Sequence, residues 1–137
     1  MLSFKPLHFI DGVQDAMISP YNRGFAYGDG VFETLSFERG ELYFLDAHLQ
    51  RLFSACETLA IPLDHSLLRQ RLDQGLKALA DIQIPSAVVK IIVTRGVGGR
   101  GYGVKEPLTP CICVLLNPPA QYPIDYSQRG VNLFECQ

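Results

Sequence analysis

Three short segments hold the residue types that could do chemistry. In residues 23–34, Gly24, Gly28 and Gly30 crowd a stretch that also carries Arg23, Asp29 and Glu33. Glycines at that density let the backbone turn tightly. Asp29, set between two glycines, is expected to hydrogen-bond its own backbone and fix the turn before a strand begins. In residues 47–52, His48 and Arg51 are neighbours on the surface of one helix, while Leu49 and Leu52 point to a core. An arginine held on a packed helix can grip a phosphate with both prongs of its fork. The plainer readings are an ordinary glycine turn and a solvated helix face with a local His/Arg pair.

The third segment, residues 90–103, runs from a strand into a glycine-rich loop holding Arg95 and Arg100. Gly96, Gly98 and Gly101 formally spell the dinucleotide fingerprint, but that motif needs a helix whose N-terminus meets a pyrophosphate. Gly103 and Pro107 break any such helix, and no acidic residue ends the next strand, which runs to Leu116 and Asn117. No Gly-Lys-Ser/Thr follows, so the loop is not a P-loop either. What remains is a mobile loop with paired arginines, each offering a planar fork to a carboxylate, or else a long hairpin tip with incidental charges. The remaining candidates for chemistry are poorer. No Gly-x-Ser-x-Gly elbow exists and the acids are scattered, so neither a hydrolytic triad nor a carboxylate pair is supported. Cys111 and Cys113 share one side of a strand, but no Cys or His nearby completes a metal site, so Cys56, Cys111, Cys113 and Cys136 read as buried free thiols in a reducing cytosol.

The elements that must position these segments follow from hydrophobic spacing. A short turn centred on Asp11 and Gly12 spans residues 9–13. Residues 31–37 read as a strand, residues 38–41 as a turn, and residues 42–45 as its return. Asp46 is the expected N-cap of a helix whose apolar face holds Leu45, Leu49, Leu52, Phe53, Cys56, Leu59 and Ala60. Ile61-Pro62 closes it. Asp64 caps a second helix to about Ala80, with Leu67, Leu68, Leu72, Leu76 and Leu79 inward. Residues 87–94, 111–116 and 130–136 are further strands. Together they predict an α+β, two-layer domain over residues 1–137, with a mostly antiparallel sheet of about five or six strands and two helices on one face.

Composition bounds the function. In 137 residues, 47% are apolar and 19% charged, a globular composition, and the net charge of -2 offers no polybasic face for nucleic acid. No apolar run is long enough for a membrane helix, and residues 1–15 lack the charged head and apolar stretch of a secretory signal.

Taken together and in order, the three segments resemble the fold-type IV, pyridoxal-phosphate (PLP) dependent class IV aminotransferase family. Residues 23–34 are similar to its R-G-x-x-x-G-D-G-x-F-E-T segment. Residues 47–52 are similar to its H-x-x-R-L helix, and residues 93–102 to the R-G-x-G-G-R-G-Y loop of its aminodeoxychorismate lyase branch. The resemblance covers essentially the whole chain. It implies that Arg51 binds the PLP phosphate and that Arg100, with Arg95, lies where substrate carboxylates bind, in its own or the neighbouring subunit. Phe32 stands where D-amino-acid aminotransferases tend to have a substrate-facing tyrosine, and the branched-chain enzymes lack the loop; both departures favour the lyase. That enzyme converts 4-amino-4-deoxychorismate, a small dicarboxylate, to 4-aminobenzoate and pyruvate in folate synthesis, as a cytoplasmic homodimer.

The resemblance also implies what is missing. The Schiff-base lysine is expected beyond Gln137, in a C-terminal catalytic domain, since none of Lys5, Lys77, Lys90 and Lys105 has its context, and Lys90, mid-strand, reads as structural or supporting. The chain is thus expected to be an N-terminal domain, inactive alone. The alternatives are a D-amino-acid or branched-chain aminotransferase of the same family, and a non-catalytic α+β binding module.

Overall fold

A computed structural model describes residues 4–104 and 107–136; Lys105, one of the four lysines considered above, lies outside them. The elements run β1 (Leu7–Ile10), β2 (Val13–Gln14), α1 (Arg23–Tyr27), β3 (Gly30–Glu38), β4 (Glu41–Leu42), α2 (Leu45–Thr58), α3 (His65–Asp81), β5 (Ser86–Thr94), β6 (Cys111–Asn117) and α4 (Tyr126–Arg129). The strands form one antiparallel sheet in the order β2-β1-β6-β5-β3-β4. The fold is therefore the expected α+β domain, with six strands and the two long helices packed on one face.

Side chains alternate across that sheet. Leu35 and Phe37 of β3, Val89, Ile91 and Val93 of β5, and Ile112, Val114 and Leu116 of β6 point inward. They meet Leu49, Leu52 and Cys56 of α2 and Leu68, Leu72 and Leu79 of α3 in one continuous core. The other face carries Phe32, Lys90, Ile92, Cys111 and Cys113. β3 and β5 pair in register from Gly30–Thr94 to Glu38–Ser86, which fixes the two strands that lead into the glycine-rich segments.

Where α3 crosses β6, a Cβ on Gly75 would stand 3.0 Å from Val114 Cγ1. We expect Gly75→Val to lower unfolding free energy by roughly 1–3 kcal/mol, the usual overpacking penalty, read from the shift of a urea midpoint.

Several expectations need correction. Asp46 is not the N-cap of α2: the chain enters through Phe44 at φ 54° without a side-chain cap, and Asp46 sits in the first turn, where its charge favours the helix dipole. Asp64 does cap α3, accepting from the backbone N–H groups of Ser66 and Leu67. The return strand β4 stops at Leu42, and Leu45 already belongs to α2. Leu59, Ala60 and Leu67 face outward, because α2 ends at Thr58 and Leu67 lies off the buried stripe of α3. Residues 9–13 form a complete hairpin turn, with Asp11 at φ 50° and Gly12 at φ 84° between β1 and β2. Residues 130–136 are not a strand; they are exposed and pair with no described strand, and Cys136 is exposed rather than buried. No described helix is long and apolar enough to cross a membrane.

Candidate active site

Glu33 sits on the inward phase of β3, in line with Leu35 and Phe37, where an acid needs a partner. It has two, both from α2. Arg51 donates from Nε to Glu33 Oε1 (2.5 Å) and from Nη2 to Oε2 (2.6 Å), and His48 Nδ1 lies 2.7 Å from Oε2. The Arg51 hydrogen bond, helped by that of His48, holds the Glu33 carboxyl below its ordinary range despite burial. Arg51 is thus gripped along one edge, its side chain 70% exposed, with its Nη1 edge free of any described partner.

A second acid does similar work at the other motif. Asp29 Oδ2 accepts from Arg23 Nε (2.8 Å) and Arg95 Nε (2.8 Å), and its Oδ1 from Arg95 Nη2 (3.1 Å). The expected Asx turn is replaced because two guanidiniums outcompete a backbone N–H for one carboxylate. Hydrogen bonding from Arg95 is the strongest reason that Asp29 is held below the usual carboxylate range. Arg95 also donates from Nη1 to the carbonyl of Ala60 and from Nη2 to that of Leu59, past the end of α2 (both 2.8 Å). Four of its five N–H groups are thus engaged by its own fold.

Arg23 is 3% exposed and reaches into the glycine-rich loop. Nη1 donates to the Gly101 carbonyl (2.9 Å) and Nη2 to the Tyr102 carbonyl (3.0 Å). Its guanidinium stacks over Tyr27, whose hydroxyl accepts from Gly101 N–H (2.8 Å) and whose ring packs against Tyr102. The loop is anchored at this end, contrary to the expectation of a mobile tip. Arg100 stands just before the anchored carbonyls, exposed, and no described residue pairs with it.

Phe32 projects from the face opposite α2 and α3, beside a groove of about 420 Å³ that Phe25 of α1, Ile92, Thr94 and Cys113 also line. Lys90 Nζ lies 4.3 Å from the Phe32 ring centroid. Cys111 and Cys113 lie side by side on the same face with sulfurs 3.9 Å apart; hydrogen bonding to Cys113 and burial raise the Cys111 thiol above its ordinary value. No described group of three or more His, Cys, Asp or Glu residues could hold a metal ion.

Sequence reasoning singled out Arg51, Arg95, Arg100 and Phe32. The structure puts Arg95 and Arg100 at the two ends of one anchored loop, and Arg51 and Phe32 on opposite faces of the β3 region. Sequence reasoning missed Arg23, Asp29 and Glu33 as the residues that hold the others. Glu33 was legible as an acid in the apolar phase of a strand.

The family model for class IV amino-transferases matches residues 30–134. The chain belongs to that family. Its members of fold-type IV, lyases and aminotransferases alike, depend on PLP. A crystal structure of 4-amino-4-deoxychorismate lyase from Pseudomonas aeruginosa is similar over 96% of this chain and 47% of its own, with 43% identity and a TM-score of 0.82. The aminodeoxychorismate lyase of Vibrio harveyi is 32% identical over 96% of this chain and 47% of its own length. That of Bacillus subtilis is 35% identical over 76% of this chain and 36% of its own. The chain thus spans about half the length of the curated relatives it matches.

The residues present fit one part of such a cofactor. A phosphate needs a fixed fork with free donors, and Glu33 fixes Arg51 while leaving its Nη1 edge available. Of the described lysines, Lys77 is paired with Asp81 on α3 and Lys90 lies against Phe32.

Proposed function

We propose that this chain is the N-terminal domain of a PLP-dependent aminodeoxychorismate lyase, which releases 4-aminobenzoate and pyruvate from 4-amino-4-deoxychorismate for folate synthesis. The observation that carries the reading is the loop of residues 95–102, moulded on Arg23 and Tyr27 so that Arg100 stands free to take a carboxylate. Arg51 holds the cofactor phosphate through the edge that Glu33 leaves open. When bound, the cofactor supplies the electron sink for cleavage next to the substrate amine. Phe32 walls the substrate side, and the Lys90 ammonium over its ring adds a cation on that face for the second carboxylate. Arg95 serves the site indirectly, by fixing the start of the loop. The Schiff-base lysine is assigned to a C-terminal domain beyond Gln137, so this domain alone is inactive. That assignment is supported by relatives about twice this length. The complete protein acts as a cytoplasmic homodimer.

The test is turnover by the complete gene product. Formation of 4-aminobenzoate and pyruvate is expected, with no comparable transfer from D-alanine or a branched-chain amino acid to a keto acid. Arg100→Gln should raise KM for aminodeoxychorismate about ten- to a hundredfold, the usual loss for one charge-assisted grip. Efficient amino transfer without lyase turnover would replace this reading with an aminotransferase. A protein inert in both assays would leave a binding module.

A further inference from the structure

We propose that Arg23, on which the loop is moulded, is the positioning residue of Arg100: it closes the glycine-rich loop at both ends and so sets where that exposed guanidinium stands. The inference rests on the proposed role of Arg100 for its functional meaning, but not for its structural part.

Arg23 meets the loop twice. Its backbone N–H donates to the Gly96 carbonyl (2.8 Å), and its guanidinium donates to the Gly101 and Tyr102 carbonyls (2.9 and 3.0 Å). Residues 97–100 therefore form an arc whose two feet rest on one buried residue. The arc packs closely on that residue and on Leu108: a Cβ on Gly98 would stand 2.9 Å from Arg23 Cδ and 2.7 Å from Leu108 Cδ1. Tyr27, one turn along α1, adds the hydroxyl that accepts from Gly101 N–H. Asp29 then fixes the Arg23 fork in turn, through Nε. An exposed arginine flanked by Gly99 and Gly101 would otherwise sample a wide range of positions, and each would weaken its hold on a carboxylate.

A protease reads this directly. Trypsin cutting after Arg100 must draw Gly101 and Tyr102 into an extended strand, which requires breaking both bonds from Arg23. In the complete protein, Arg23→Gln is expected to speed cleavage after Arg100 about tenfold, while cleavage after Arg69 and Arg71 in α3 keeps its wild-type rate. In the same variant KM for the dicarboxylate substrate should rise about tenfold with kcat changed less than about twofold. Unchanged cleavage after Arg100 in folded Arg23→Gln overturns the inference, as does a fall in kcat with KM intact. If that variant cleaves faster everywhere, it has unfolded, and Tyr27→Phe decides. That change removes only one hydroxyl and should speed cleavage after Arg100 alone by about two- to fivefold; no local increase overturns the inference. Should Arg100→Gln leave KM unchanged, the substrate role given to Arg100 falls, and the cleavage comparison still stands as the test of Arg23.

Discussion

Asp29→Ala is expected to destabilise the domain by about 3–5 kcal/mol, the cost of stripping the counter-charge from buried cations. Arg23 is almost wholly buried and Arg95 nearly so, and Asp29 is their shared carboxylate, 15% exposed. The neutral carbonyls of Gly101, Tyr102, Leu59 and Ala60 remain as acceptors and keep the loss within that range. Urea unfolding measures it; a loss below about 1 kcal/mol would mean that the carbonyls alone suffice. Since stabilities of whole domains are only about 5–15 kcal/mol, Asp29→Ala should also express poorly.

The same carboxylate gives the domain an acid-sensitive element. Hydrogen bonds from Arg95 and Arg23 depress its folded-state pKa below the unfolded value of about 3.9. A depressed pKa contributes stability that is full above the unfolded value and is lost as pH falls through the folded one. Glu33, depressed by Arg51 and His48, adds a second contribution of the same sign. Stability should therefore fall below about pH 4, and Asp29→Asn should flatten that part of the profile. A profile unchanged by Asp29→Asn would assign the acid sensitivity elsewhere.

The second large effect concerns the cofactor. Arg51→Ala in the complete protein should weaken PLP binding about ten- to a hundredfold, measured by the absorbance of bound cofactor during titration. Glu33→Gln should give a smaller loss in the same direction. It leaves the Arg51 fork in place but replaces a two-pronged ionic grip with a neutral amide, so the fork is aimed less well. Equal affinities in wild type and Arg51→Ala would remove Arg51 from the phosphate site.

Much of this fold was legible because burial imposes period two on strands and a wider stripe on helices. The strands β3, β5 and β6, most leucines of α2 and α3, and the shared side of Cys111 and Cys113 followed from that rule. The Asp64 cap followed from residue type, but the start of α2 and the chain end did not, because they depend on local backbone angles and available partners. Phe44 at φ 54° starts α2 where Asp46 looked better suited, and residues 130–136 have strand composition but no described partner strand to satisfy their backbone. The site divides the same way. Arg51 and Arg100 could be picked out because exposed arginines in patterned surroundings stand out, and the resemblance named their roles. Asp29 looked like a turn residue, since nothing in its neighbourhood announces that Arg95, far along the chain, arrives beside it.

Arg23 also settles how freely the loop can change length. Surface loops usually tolerate insertions, because an added residue costs little closure entropy. Here one side chain and its own backbone amide measure the distance from Gly96 to Gly101 and Tyr102, so a single added or deleted residue shifts both carbonyls off the fork. Side chains at Val97 and Gly99 have room to vary, since Val97 is exposed and a Cβ on Gly99 meets nothing. The number of residues between them and the anchor does not. The loop accepts new spelling but not new length, a restriction that anyone grafting a different substrate preference onto this domain would meet first.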